Sequence, residues 1–297
     1  MMTIFTATYN RGQYLKKIYN SLLSQVAYDF EWLIVDDGST DQTKNIVDSF
    51  ISESRISIRY YYQTNQGKHI AFNKGIDLAK GDFFICVDSD DNLTDKAISV
   101  INDSIAKLQP NNIGVVYPQS LNYENDKYKW SNIDKNEIDI IDLKEKYRII
   151  ESAILIRTKI LKKYHFPEFK NDDGKKEKFC SEGLLFNKLI SDGKFVVCNS
   201  VIYVSNYLDD GLTKSLFNKI WINNFYSTVE DFRLRYITAR KFKLILRIKT
   251  RIKAVINLNA LCIKKRKYIY KYTPSIFYSS ILFLPSLLFK IYRYRYK

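Results

Sequence analysis

The chain has 297 residues, 46% of them hydrophobic, enough for one sizeable domain with an appendage and too apolar for an intrinsically disordered chain. Its formal charge of +15 is unevenly placed. Residues 1–210 carry 27 Lys and Arg against 30 Asp and Glu, whereas residues 211–297 carry 20 against 2, so the two parts are suited to different partners. Cys86, Cys180, Cys198 and Cys262 lie far apart without metal-ligand spacing, which points to reduced thiols rather than disulfides or a structural zinc.

The opening residues have neither a basic leader nor a cleavage site and read as a strand, so the expected location is cytoplasmic. A strand over residues 3–8 is followed by a helical pattern over 11–25, with Tyr14, Leu15, Ile18, Leu22 and Leu23 on one face. The alternation repeats: strands over 31–35, 56–62 and 83–87 precede helices over 41–51, 70–79 and 94–108. Such a βα series predicts an α/β fold with a mostly parallel sheet wrapped by helices and ligand sites at the carboxyl ends of the strands. Three of those ends carry polar clusters that should converge: Thr8-Tyr9-Asn10-Arg11, Asp36-Asp37-Gly38-Ser39 and Asp88-Ser89-Asp90-Asp91.

The third cluster is the most informative. An apolar run from Phe83 to Val87 ends in three carboxylates, and alternation along the strand points Asp88 and Asp90 to one side. A hard divalent cation held by one or two carboxylates plus substrate phosphates is the natural occupant, although a solvated acidic turn before a helix has the same residues. In the second cluster an Asp-Gly turn with Ser39 or Thr40 as helix N-cap is the plain reading, with Asp36 orienting Arg11 or satisfying turn amides. Lys68 and His69 follow Gly67 at the start of a helix, where N–H groups and the helix dipole attract phosphate. Lys68 is the diphosphate candidate; His69 serves phosphate or ribose, or else a cap or packing role. Asn92 falls in the turn before the helix that Thr94 is expected to cap.

From residue 114 to about 212 the pattern turns irregular, with strands over 115–117, 153–156 and 195–204 and a helix starting near Ser181. Beyond residue 213 the chain reads as helical and basic, and a boundary is expected near residue 212. Residues 214–271 interleave cations with apolar side chains, the pattern of a basic amphipathic helix at a membrane surface. Residues 272–289 then give 18 uncharged positions between cations. With Pro274 and Pro285 inside, they are expected to lie in the interface rather than span, a packed appendage or oligomer interface being the alternative. Long aliphatic runs between the cations favour lipid, and no nucleic-acid partner is expected.

In order and spacing these clusters resemble glycosyltransferase family 2, the inverting nucleotide-sugar transferases of the GT-A fold, over roughly residues 1–110. The similarity extends through Val35-Asp36-Asp37-Gly38-Ser39-Thr40-Asp41, Asn65-Gln66-Gly67 leading to Ala71, Asn73 and Gly75, then Lys80-Gly81-Asp82 and Val87-Asp88-Ser89-Asp90-Asp91. Ser181-Glu182-Gly183-Leu184-Leu185-Phe186 resembles the segment carrying the family's base. Residues 207–214, with Asp209 and Asp210, resemble a loop after the last strand, suited to closing over donor or acceptor. Gly183 stands where Asp often follows the base, and Ala7 where relatives commonly have Pro or Thr.

The resemblance implies a GT-A catalytic domain over 1–212, with a nucleotide-binding half (1–110) and an acceptor-side half (111–212), and a membrane-associating region over 213–297. It implies donor binding by Thr8, Tyr9, Asn10, Arg11, Asp37, Lys68, His69, Asp88 and Ser89, with Asp37 accepting from uracil and Asp88 contacting ribose. Asp90, or Asp91 in its place, would bind Mg2+ or Mn2+, and Glu182 would be the general base. The implied activity is inverting transfer from a nucleotide sugar, a UDP-sugar foremost, to a hydroxyl of a lipid-linked glycan in surface polysaccharide synthesis at the inner face of the cell membrane. A nucleotidyltransferase of related fold, or a catalytically silent membrane or nucleic-acid-binding protein, is the alternative.

Overall fold

Residues 2–8 and 30–36 form strands buried at almost every position, mainly apolar but with Thr3, Thr6, Thr8, Glu31 and Asp36 among the buried side chains. The computed structural model describes residues 1–121, 133–149, 152–205 and 219–294, and begins with these two strands, β1 (Met2–Thr8) and β2 (Phe30–Asp36). With β3 (Ile58–Tyr62) and β4 (Phe83–Cys86) they form a parallel block in the order β3-β2-β1-β4. Helices α1 (Gly12–Leu23), α2 (Thr43–Glu53) and α3 (Lys68–Leu78) make the crossovers, and α4 (Ala97–Ala106) follows β5 (Asn92–Leu93).

Beyond β4 the sheet becomes mixed. β8 (Ser152–Arg157) runs antiparallel to β4 and to β6 (Asn112–Leu121); β6 pairs in parallel with β9 (Lys194–Val197) and β10 (Tyr203–Ser205), while β7 (Glu137–Ile138) pairs with β9. The α/β class and the mostly parallel central sheet are as expected from the sequence.

Three local expectations are corrected. The single strand over 195–204 is two, because the chain leaves the sheet at the polar pair Asn199-Ser200 after Cys198 N–H donates to Val116 O (3.0 Å), and rejoins β6 further along at Gln119. Neither Ser39 nor Thr40 caps α2: the N-cap position is Gln42, and Asp41 just before it accepts from Thr43 N–H through Oδ1 (3.0 Å). Thr94 does not cap α4, which starts three residues later; its hydroxyl donates to Val201 O, and Asn92 extends into β5, paired with β10.

One face of the sheet packs Ile4, Trp32, Ile34 and Ile85 against Leu15, Ile18 and Leu22 of α1 and Val47 and Phe50 of α2. On the other, Phe5, Phe72 and Phe84 meet with ring centroids 5.2–5.3 Å apart. α3 approaches so closely there that a Cβ on Gly75 would lie 2.3 Å from the Phe5 ring, so only glycine fits.

By its contacts the chain divides into two units, Met1–His165 with Lys188–Leu208, and Phe166–Asn187 with Asp209–Lys297. The boundary expected near residue 212 and the loop over 207–214, with Asp209 and Asp210, lie outside the described residues. In the second unit, helices α5 (Phe225–Thr238), α6 (Leu244–Lys264) and α7 (Phe283–Arg293) join the segment Phe166–Asn187. Buried Glu177 explains that grouping: its two oxygens accept from the Tyr226 and Ser227 N–H groups (2.8 Å each), so its carboxylate caps α5. Asn224 Oδ1 accepts in turn from Lys178 and Phe179 N–H. The run over 272–289 is not one helix: it is interrupted at Pro274, restarts at Ile276 with Ser275 capping Tyr278 N–H, and turns again at Leu282 before α7.

At the amino ends of the parallel strands Glu31, 2% exposed, accepts from the Thr3 hydroxyl (2.6 Å), Arg59 Nη1 (2.8 Å) and Lys80 N–H (2.8 Å). Burial works to raise the Glu31 pKa, but hydrogen bonds from Thr3, Arg59 and Lys80 outweigh it and hold the carboxyl below its ordinary value. A depressed folded-state pKa contributes stability that is present above the unfolded value, about 4.3, and is lost as pH falls through the folded one. Glu31→Gln should therefore cost about 3 kcal/mol near neutral pH, the scale for breaking a buried pair. In urea denaturation of the full chain, the gap between variant and wild type should narrow as pH drops below about 4; a gap independent of pH would show that the Glu31 charge does not carry this network.

Candidate active site

β2 ends in two buried aspartates with different partners. Asp36 Oδ1 accepts from Ser39 N–H (2.8 Å) and Oδ2 from the Tyr60 hydroxyl (2.6 Å), so it satisfies a turn amide and does not orient Arg11. Burial and then Asp36 hold the Tyr60 phenol well above its ordinary pKa. Asp37 accepts from Gln63 Nε2 (2.8 Å), Gln66 N–H (2.9 Å) and Gly67 N–H (2.7 Å). A carboxylate has about four acceptor sites, so an incoming base N–H would meet roughly one remaining. These bonds fasten the amino end of α3 to the end of β2, with Gly67 at φ +99° where a left-handed conformation favours glycine.

The β1 loop is fixed to the same turn: Asn10 N–H donates to Ser39 Oγ (2.8 Å), and Asn10 Oδ1 accepts from Thr40 N–H (2.7 Å). Arg11 then reaches across to the segment after β4, its Nη1 2.8 Å from Asp90 Oδ2. Lys68, the first residue of α3, places Nζ 2.7 Å from Asp88 Oδ1 and 2.9 Å from Oδ2. Burial works to raise the Asp88 pKa, but Lys68, aided by the Cys86 thiol and Arg11, holds it below the ordinary value. The carboxyl ends of three parallel strands thus meet through two acid–cation pairs.

Asp91 has a different surrounding. It is buried, and its Oδ2 accepts from the Tyr203 hydroxyl (2.7 Å), whose oxygen accepts in turn from Asp88 N–H (3.0 Å). Burial, then Asp88 and Asp91, raise the Tyr203 pKa well above its usual value, so the phenol stays protonated and donates. This pins the turn from beneath, leaving Asp88 and Asp90 as the more accessible carboxylates.

Of the other expected donor-site residues, Tyr9 is exposed, while Thr8, Ser89 and His69 are buried; the burial of His69 within α3 favours the packing role. The Thr8 hydroxyl has no hydrogen-bond partner among the described residues. Glu182 belongs to the second unit, where it is exposed and leads the short helix Gly183–Phe186. Beside that helix lies a residue the sequence did not single out. Asp231 of α5 is 3% exposed, with Oδ2 on Arg235 Nη2 (2.8 Å); its Oδ1 has no partner among the described residues and lies 2.8 Å from where a Cβ on Gly183 would stand. Its only sequence signal is an Asp-Arg spacing of four, common on solvated helices. Gln63 and Tyr203 were likewise missed, because each acts through a partner distant in sequence.

As oxygen donors Asp88 and Asp90 fit Mg2+ or Mn2+. Both already attract protein cations. Among the described residues no group of three or more His, Cys, Asp or Glu is placed to hold an ion, so a metal would draw its remaining ligands from substrate or water.

The chain is similar to several known proteins. Glycosyltransferase GlyG of Streptococcus pneumoniae serotype 4 is 25% identical over 233 residues, covering 74% of this chain and 75% of that protein. The structure of Staphylococcus aureus TarS 1–349 in complex with UDP-GlcNAc covers 99% of this chain and 89% of its own at a TM-score of 0.58 and 18% identity. The mannosyltransferase PcManGT from Pyrobaculum calidifontis, in complex with GDP-Man and Mn2+, covers 99% of this chain and 81% of its own at a TM-score of 0.54 and 16% identity. These likenesses confirm the GT-A fold. The profile of glycosyl transferase family 2 matches residues 3–165, more than half of the sequence, and the chain belongs to that family.

Proposed function

We propose that this glycosyltransferase moves a sugar from a UDP-sugar to a hydroxyl of a lipid-linked surface glycan, with inversion and with the help of a divalent metal. The observation that carries the reading is the meeting of Arg11, Lys68, Asp88 and Asp90 at the carboxyl edge of β1 and β4, the place where α/β sheets bind ligands. A nucleoside diphosphate suits it: Lys68 and the amino end of α3 face phosphate, while Asp37 and Asp88 offer acceptors to base and ribose. The UDP-GlcNAc complex of TarS supports the choice of uridine. Asp90, with Asp88 beside it, would hold the metal, whose charge when bound stabilises the departing diphosphate. The Mn2+ complex of PcManGT supports that assignment.

Inversion needs one displacement. The acceptor oxygen forms a bond to the anomeric carbon as the bond to the diphosphate breaks, the proton passes to a carboxylate, and UDP leaves. Glu182 is the proposed base, being an exposed carboxylate on the segment that resembles the family's base region. Lys68 and Arg11 take up the charge released on the diphosphate oxygens. The lipid-linked acceptor, and work at the cytoplasmic face of a membrane, are supported by the basic C-terminal sequence.

Asp90→Asn should abolish Mn2+-dependent UDP binding, read by calorimetric titration with and without metal, since an amide removes the ligand charge. Asp91→Asn should instead disturb the Tyr203 contact and leave the metal requirement in place; the opposite pattern would move the metal to Asp91. Glu182→Gln should keep UDP affinity while lowering transfer on the order of a hundredfold or more, the range for losing a general base. A matching loss of UDP affinity would remove Glu182 from that role.

A further inference from the structure

The last helices of the second unit are turned inside out. In the helix Ile276–Ile281 the buried residue is Ser279, and in α7 it is Ser286. Their large apolar side chains face outward: Ile276, Phe277, Ile281, Leu284, Leu288 and Tyr292 are 61–75% exposed. What holds Ile276–Ile281 to α6 includes polar contacts. Asn259 of α6, fully buried, accepts from the Ser279 hydroxyl (3.0 Å) and donates from Nδ2 to Ser279 O (3.1 Å), while the Ser286 hydroxyl turns back to Leu282 O (2.6 Å).

A protein surrounded by water does the reverse, because apolar area exposed to water costs free energy and buried hydroxyls gain little. Small hydroxyl residues toward the neighbouring helix and aliphatic and aromatic ones outward is the arrangement of helices whose outer medium is hydrocarbon. The charge says which hydrocarbon surface. Residues 239–297 contain sixteen Lys and Arg and no Asp or Glu, Lys290 and Arg293 among them on α7, which suits anionic headgroups and gives a second copy no acidic group to pair with in this region. The depth follows from length. α7 has 11 residues, about 16 Å at 1.5 Å per residue, against a hydrocarbon core of about 30 Å, and among the described residues no helix is long and apolar enough to cross a membrane.

We propose that the outward face of residues 276–293 is a shallow insertion surface for an anionic lipid bilayer, with Phe277, Ile281, Leu284 and Leu288 entering the acyl region and Lys290 near the headgroups. The inference rests on the reading of the acceptor as membrane-borne, but its test reads binding without turnover, so either can fail alone.

The full-length protein is floated with vesicles of equal parts phosphatidylcholine and phosphatidylglycerol, and with phosphatidylcholine alone. Wild type should float with the anionic vesicles, and Phe277→Ser/Leu288→Ser should bind at least about tenfold more weakly while keeping its UDP affinity. Ile281→Ser and Leu284→Ser, made singly, should each lose several-fold, so the result does not hang on one variant's folding. High salt should weaken binding without abolishing it, because screening acts on the cations and not on the inserted side chains. Wild-type protein that ignores anionic vesicles, or serine variants that float as wild type does, would overturn the proposal. So would a wild-type dimer that the double variant converts to monomer with neither form binding vesicles, which would assign the face to a second copy.

Discussion

The carboxyl edge of the first unit depends on β1, which is hydrogen-bonded to β2 along its whole length and to β4 along its first half. Its register puts Thr8 opposite Asp36 and Phe5 opposite Cys86, so the loops after three strands are delivered to one place before any side chain acts. A slip of one residue would reverse every inward and outward side chain, and the packing of Phe5 against Gly75 and of Ile4 against α1 makes that slip expensive.

On that frame the polar groups divide into those that build the site and those left open to a ligand. Asp36 and Asp91 spend their oxygens on the Ser39 amide and on Tyr203, whereas Asp37 gives three of about four acceptor positions to Gln63 and the segment leading into α3 and keeps roughly one for a ligand. Asp88 and Asp90 keep more exposure and take side-chain cations, which a ligand or metal can displace more cheaply than a backbone amide held in a turn. Preorganisation therefore resides in the buried acids and adaptability in the ion pairs.

The second unit follows other rules. Its core around Phe225, Val229, Phe232, Leu258 and Leu261 is an ordinary helix-packing core, and the buried Glu177 carboxylate fastens a distant segment to the start of α5. Beyond it the pattern reverses, with Ser279 and Ser286 inward and large apolar residues outward.

The βα alternation, the three polar strand ends and the charge asymmetry are legible in the residues alone, because helix and strand periods, turn residues and net charge are local or additive properties. The sequence carried the family as well, since motif spacing along a βα unit fixes where each cluster lands. Folding in three dimensions was needed to show that Arg11 serves Asp90 rather than Asp36, that Asp91 belongs to Tyr203, that 195–204 is two strands, and that Phe166–Asn187 groups with the C-terminal helices. Each of those choices is a competition among partners tens of residues apart, settled by distance and burial, and no local pattern encodes which of several acids a given arginine or phenol will reach.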